Sequence, residues 1–324
     1  MGKFLKMVGL WGAVFFVLCF CLDMVISSGL RRTDIRKYAA WNDIYASRIQ
    51  ADVVVMGSSE TWCGYNPAII DSVLHFHAYN LAMDGHGFKY QRIRYDTYRR
   101  FCPKPGLLIM NLDYPGTFDS NAGYGYEREQ FFPFITDGKL ISSVSADKKI
   151  IWPERYLPLY RYYGYREEIE TGICAFFGKK SFEDGGLKNG FRGNAYHWSP
   201  ESLLTEDIFH CPVDEEVVSA LDEFVRAQLE EGIRVFFVEF PEYWRLRGKF
   251  DNIGEVESLF AQIADKNHIP FIDCSDWPVC QDSSWYYNSS HLNKAGADFF
   301  TGMLCDTLVK RGLVCPGLVG SPME

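Results

Sequence analysis

The stretch Val53-Val54-Val55-Met56-Gly57-Ser58-Ser59-Glu60 constrains the fold more than any other part of the chain. Three valines and a methionine run straight into a glycine and two hydroxyls. A short, wholly apolar run of this kind reads as a strand buried on both faces, with the glycine as a sharp turn at its end. Strands buried on both faces belong to parallel sheets covered by helices. In open sheets of that class ligands bind beyond the carboxyl ends of the strands. A serine at this turn is therefore a candidate nucleophile, provided the rest of the chain brings it a base and an oxyanion site.

The flanking sequence alternates as such a sheet requires. Residues 34–50 read as a helical lead-in. Asn66-Pro67 is a helix start, with Asn as N-cap and Pro at the first helical position. Residues 76–82 form a second strand, followed by Met83-Asp84-Gly85-His86-Gly87. A helix over 90–101 is broken by Pro103-Lys104-Pro105-Gly106, and a third strand over 107–110 ends at Asn111-Leu112-Asp113. Beyond residue 213 the pattern resumes. Asp214 caps a helix whose apolar positions Val217, Leu221, Phe224 and Val225 share one face. A fourth strand over 234–240 stops at Pro241, a helix covers 255–266, a short fifth strand covers 269–273, and a last helix runs over 292–311. Strands separated by helices specify an α/β fold with a parallel sheet of about five strands and helices on both faces.

Residues 115–212 break this alternation and are rich in Tyr, Phe and Gly. The stretch is too long for a plain loop. It reads as a partly helical insertion over the active-site edge of the sheet, either a satellite core packed on its aromatics or a sugar-binding lid. At the N-terminus, Lys3 and Lys6 precede an apolar run from Met7 to Leu22, with Asp23 near its end and Arg31-Arg32 beyond. Extended to Leu30, the run is long enough to span a bilayer. Residues 1–32 read as an uncleaved signal anchor and residues 33–324 as the α/β domain. A cleaved signal peptide is the competing reading, but no small-x-small site follows the run. Basic residues flank both ends, so charge alone does not orient the helix.

Composition excludes some functions. A formal charge of −9 argues against nucleic acid as a partner, because phosphate binding needs a basic face. None of the ten Cys forms a C-x-x-C pair or a zinc-type cluster with His, so no metal is expected. Cys274/Cys280 and Cys305/Cys315 are close enough in sequence to pair in an oxidising compartment, and buried free thiols are the equal alternative. The first loop lacks the successive glycines that cradle phosphate, which argues against a nucleotide cofactor.

Four segments converge on one sheet edge: Ser58-Ser59, Gly85, Asn111/Asp113, and the loop carrying His291. Acyl transfer by a hydroxyl needs a base and donors for the developing oxyanion. His291 suits the base, Asn288 three residues earlier suits the orientation of its other nitrogen, and the Ser59 and Gly85 amides suit the oxyanion. Asp282 is a second candidate for orienting His291, and His86 lies beside the oxyanion glycine. Glu239, Glu242, Trp244, His75 and His77 read as structural.

Gly57-Ser58-Ser59, Gly85, the end of the third strand and Asn288-Ser289-Ser290-His291-Leu292-Asn293 resemble the blocks of the SGNH (GDSL-like) hydrolase superfamily. The resemblance covers residues 52–309 apart from the insertion. With its anchor, the chain is similar to bacterial membrane-anchored members associated with cell-surface polysaccharide or teichoic-acid acylation. This implies a three-layer flavodoxin-like fold and a Ser59–His291 pair acting on acyl esters, with Ser58 the weaker nucleophile. Two blocks depart from the family pattern. Asp113 stands at the oxyanion asparagine, with Asn111 as an alternative donor, and Asn288 stands at the triad aspartate. The resemblance further implies a cell-surface glycan or other acylated small substrate, partnership with a membrane-bound acyltransferase, and a single-pass protein of the cytoplasmic membrane with its domain in the periplasm or cell exterior. The alternative is an inactive relative that binds glycan or scaffolds an export complex.

Overall fold

The computed structural model describes residues 1–145, 150–179, 187–199 and 207–318. In chain order the helices and strands are α1 (Gly2–Leu30), α2 (Arg36–Tyr45), β1 (Val53–Met56), α3 (Ser59–Gly64), α4 (Pro67–Leu74), β2 (Ala78–Asn80), α5 (Phe88–Phe101), β3 (Leu107–Leu112), α6 (Gly138–Ser145), α7 (Trp152–Tyr156), α8 (Arg166–Phe176), α9 (Glu215–Glu230), β4 (Arg234–Glu239), α10 (Trp244–Arg247), α11 (Ile253–Lys266), β5 (Phe271–Asp273) and α12 (Lys294–Lys310). The chain divides into two compact units, one of Met1–Asp43 with Tyr124–Gly186 and one of Ile44–Gly123 with Leu187–Glu324.

The second unit holds the sheet. Its five strands are ordered β2-β1-β3-β4-β5 and every pair is parallel. This is the flavodoxin-like order, in which the switch between β1 and β3 is the expected ligand site. Register explains the two-sided burial. Val53, Val55, Leu107, Ile109, Phe236, Val238 and Ile272 pack with Ile70 and Leu74 of α4 and Phe300 and Leu304 of α12. The alternate residues Val54, Leu108, Val235 and Phe237 are equally buried. On α5 and α9, Phe88 and Tyr95 both pack edge-on against Phe224.

Caps set the helix bounds. Asn66 accepts from Ala68 N at 3.1 Å, and His75, in the left-handed region at φ 56°, ends α4. Asp214 accepts from Glu216 N at 3.0 Å. β5 is shorter than expected, α10 is an addition to the expected helices, and two further elements bear on the site. β2 is only three residues, although Leu81 N and Met83 N still donate to Val55 and Gly57 carbonyls at 2.8 and 2.9 Å. A short helix, α3, starts at Ser59 itself. The central stretch holds α6, α7 and α8, and its described residues divide between the two units. None of the ten cysteines is joined in a disulfide. Cys280, one of the two in the first suggested pair, points its thiol at the Cys274 carbonyl, 3.3 Å away.

In the first unit α1 is long and apolar enough to cross a membrane. Its last turns pack on α8. A Cβ on Gly29 would overlap the Gly172 carbonyl, and one on Gly172 would lie 2.6 Å from the Ile26 carbonyl. Ser27 Oγ and Tyr162 Oη are 2.8 Å apart, and a buried Asp23–Arg161 ion pair lies one turn earlier. On α2, Lys37 bridges Glu129 and Glu168 at 2.6 and 2.8 Å.

Candidate active site

β1 delivers Gly57, Ser58 and Ser59 to the carboxyl edge of the sheet. Gly57 is required by close approach: a Cβ there would overlap the Thr61 hydroxyl and lie 3.0 Å from Asn111 Cβ. The chain then turns directly into α3, so Ser59 occupies the first helical position and its N–H lacks an intrahelical partner. Gly85, at φ 66°, closes the turn after β2. Neither the Ser59 nor the Gly85 amide donates to an acceptor among the described residues.

His291 arrives from a loop pinned at both ends. Asn293 caps α12 by accepting from Gly296 N at 2.9 Å, and its amide donates to the Ser284 carbonyl at 2.6 Å. Tyr286 and Leu292 form an antiparallel bridge, and the Tyr286 hydroxyl donates to the Pro241 carbonyl at 2.7 Å. Between them, His291 places Nε2 2.8 Å from Ser59 Oγ.

The other imidazole nitrogen fixes the tautomer. Nδ1 lies 2.9 Å from Asn288 Oδ1 and 2.8 Å from Ser290 Oγ. Asn288 Oδ1 also accepts from the backbone N–H groups of Ser290 and His291 at 3.1 and 2.9 Å. Two backbone donors identify that atom as the carbonyl oxygen of the amide. It cannot donate, so its contact is a hydrogen bond only when Nδ1 carries the proton, with Ser290 Oγ accepting alongside, and Nε2 then presents a lone pair to Ser59. Asp282 does not orient the ring. It caps the turn at Ser283–Trp285 instead, accepting from Ser284 N at 2.9 Å. With no carboxylate against the ring, burial pushes the His291 pKa down to about 4.

At the third-donor position the structure reassigns two residues. Asn111 accepts from the Tyr65 hydroxyl at 2.6 Å and donates its amide to Asp113 Oδ1 at 2.5 Å, so it is a buried bridge and does not line the cleft. Asp113 does line it, with Oδ2 accepting from Ser58 N at 3.2 Å. Beside Asp113 stand Glu60 and Glu242, both buried. Sequence reasoning passes over Glu60 and reads Glu242 as structural; the structure puts both at the site. One oxygen of each has no hydrogen-bond partner. Burial, reinforced by the Asp113 and Glu242 charges, holds the Glu60 carboxyl protonated well above its usual range. Burial lifts Asp113, while hydrogen bonds from Glu60, Ser58 and Asn111 oppose the rise. Burial lifts Glu242 to about 7. Three buried carboxyls thus stand next to the serine, and burial favours the protonated form of each. The available signal is position: Glu60 follows the serine, and Glu242 follows the end of β4 on the same edge.

These groups line an open cleft of about 410 Å³, walled on its apolar side by Pro115, Ala122, Phe209, Leu246 and Phe250. His86 lines it too, with Nδ1 2.6 Å from the Asp84 carbonyl and its ring edge-on to Tyr90. Ser58 also borders the cleft, but the imidazole bonds to Ser59. Glu239 pairs with Arg247 at 2.8 Å, away from the lining. Among the described residues no group of three or more His, Cys, Asp or Glu is arranged to hold a metal ion.

No family model and no curated protein matches the chain. Among solved structures it is similar to a GDSL-like lipase from Bacteroides thetaiotaomicron VPI-5482, at 12% identity over 84% of this chain and 98% of that one, with a TM-score of 0.39. It is also similar to a provisionally assigned acylhydrolase from Bacteroides fragilis NCTC 9343, at 13% identity over 81% of this chain and 87% of that one, with a TM-score of 0.37. The functional reading rests on the Ser59–His291 geometry.

Proposed function

We propose that the sheet unit is a serine esterase of SGNH type, acting on acyl esters through Ser59. The observation that carries this is the 2.8 Å Ser59 Oγ–His291 Nε2 contact with Asn288 holding the reactive tautomer. As Oγ attacks the acyl carbonyl, Nε2 takes the hydroxyl proton. The Ser59 and Gly85 amides receive the oxyanion. Collapse expels the alcohol, which takes the proton back from Nε2 and leaves an acyl-Ser59. Water then releases the acid; a glycan hydroxyl in its place completes an O-acyl transfer. The cleft size suits a short acyl chain.

The apolar α1 supports a single-pass membrane anchor, and the resemblance in sequence is what suggests the cytoplasmic membrane, with the sheet unit in the periplasm or cell exterior. That location favours an acylated cell-surface glycan as substrate and a membrane-bound acyltransferase as a source of acyl groups. The second reading, an inactive glycan-binding or scaffold protein, is favoured by the absent carboxylate on His291 and by the acidic residues where an oxyanion forms. The full chain in detergent, treated with a fluorophosphonate probe and an aryl acetate, separates the two. Labelling and turnover lost in both Ser59→Ala and His291→Ala support the esterase; an inert parent supports the scaffold.

A further inference from the structure

We propose that the first unit carries an aromatic collar that sits in the headgroup layer of a bilayer, built from Trp152, Tyr156, Tyr160 and Tyr163. The inference rests on reading α1 as membrane-spanning. From Met1 to Leu22 nearly every residue of α1 is exposed, whereas Asp23, Ile26, Ser27, Gly29 and Leu30 are buried. At 1.5 Å per residue the exposed part is about 33 Å long, close to the thickness of the hydrocarbon core once the Lys3 and Lys6 ammoniums reach back to the far headgroups. Asp23 therefore marks the plane where hydrocarbon ends.

That plane is tied to the collar by hydrogen bonds. Leu159 N donates to Asp23 Oδ2 at 2.8 Å, and Arg161 pairs with Asp23 Oδ1. The Arg161 guanidinium also donates to the carbonyl of Glu154 on α7 at 3.3 Å. The segments holding Trp152, Tyr156, Tyr160 and Tyr163 are thus tied to α1 at the turn between Asp23 and Ser27. Their side chains face outward, with relative exposures of 65%, 55%, 48% and 87%. The Arg155 guanidinium lies 5.4 Å from the Tyr156 ring centre. Large aromatic side chains left in water have no gain to offset their exposure. Trp and Tyr favour the membrane interface, where the ring meets acyl chains and the polar tip meets water. A lipid surface continuous with the one around α1 is the occupant that fits. The Asp23–Arg161 pair meanwhile keeps each charge neutralised at the hydrocarbon edge.

Brominated-lipid quenching tests this in the full chain reconstituted in vesicles, comparing the parent with Trp11→Phe and Trp152→Phe. Differences from the parent isolate each indole among the eight tryptophans. Trp11, halfway along the exposed part of α1, reports the span; Trp152 reports the collar. The expected result is quenching of Trp11 most by bromines near the chain ends, and of Trp152 most by bromines near the headgroups, with Trp152 losing its sensitivity to aqueous iodide. A quenched Trp11 with Trp152 untouched by every bromolipid and open to iodide overturns the collar and leaves the span standing. An unquenched Trp11 overturns the span, and the collar with it.

Discussion

Asn288 Oδ1 accepts from His291 Nδ1 at 2.9 Å while two backbone amides hold that oxygen in place. An uncharged residue thus does the orienting half of a triad carboxylate's work. Loss of the carboxylate in a triad is most damaging when the amide sets the wrong tautomer. Here the amide oxygen sets the right one, and only the stabilisation of the imidazolium is missing. Asn288→Asp is expected to restore it, raising kcat on an aryl acetate and moving the acid limb of the pH–rate profile up by about 1–3 units. Asn288→Ala frees the ring to adopt either tautomer and should lower kcat by on the order of 10³-fold. Steady-state kinetics of both variants across pH checks the pair of outcomes.

The parent's own acid limb follows from His291. Its pKa is lowered to about 4 by burial, so the base stays neutral down to that pH. The active form is lost as pH falls through about 4, well below the usual imidazole range near 6.5. The same shift has a stability side. Between 6.5 and 4 the unfolded chain binds a proton that the folded chain does not, so His291 makes the fold less stable as pH falls through that window. A kcat/KM profile with its acid limb near pH 6.5 would contradict this environment for the ring.

The basic limb belongs to the carboxyl cluster. Glu242 is raised to about 7, chiefly by burial and further by Asp113, with the Glu60 hydrogen bond and the Arg247 charge opposing. A carboxyl raised in the folded state contributes stability that is fully present below its unfolded value near 4.5 and lost as pH rises through about 7. The same ionisation adds negative charge beside the forming oxyanion. Glu242→Gln removes one titrating group at nearly constant shape. It should raise the thermal midpoint more at pH 8 than at pH 5 and extend activity to higher pH. Equal shifts at both pH values would place Glu242 outside the titrating cluster.

The sheet is legible because its strands are short apolar runs between clear punctuation, and caps such as Asn66 and Asp214 mark helix starts. Ser59, Gly85 and His291 are legible as the chemistry-bearing residues that follow β1, β2 and β5. The carboxyl cluster is not. Glu60, Asp113 and Glu242 follow β1, β3 and β4, and they meet because strand order puts β3 between the other two. Nothing in chain order states that neighbourhood. Asn111 and Asp113 compete for the third-donor position in the sequence, yet Asp113 lies just past the end of β3, where its carboxylate accepts from the Asn111 amide. The start of α3 is hidden by its length, since six residues carry no helical period.

Gly57 offers the sharpest test of how the nucleophile is placed. A methyl group at this position would overlap the Thr61 side chain and press on Asn111, whose amide holds Asp113. Relief requires the turn to move, and Ser59 lies two residues on. Overpacking of a buried site costs about 1–3 kcal/mol, and small displacement of a reacting atom costs about 10²-fold in rate. Gly57→Ala should therefore lower both the thermal midpoint and kcat. Adding Thr61→Ala removes the hydroxyl that the methyl would strike, so the double variant should recover part of the stability. It should recover less of the activity, because Asn111 still crowds the turn. Thermal melts and ester hydrolysis on the two variants distinguish this steric account from a purely conformational demand at Gly57, under which the second substitution would rescue neither.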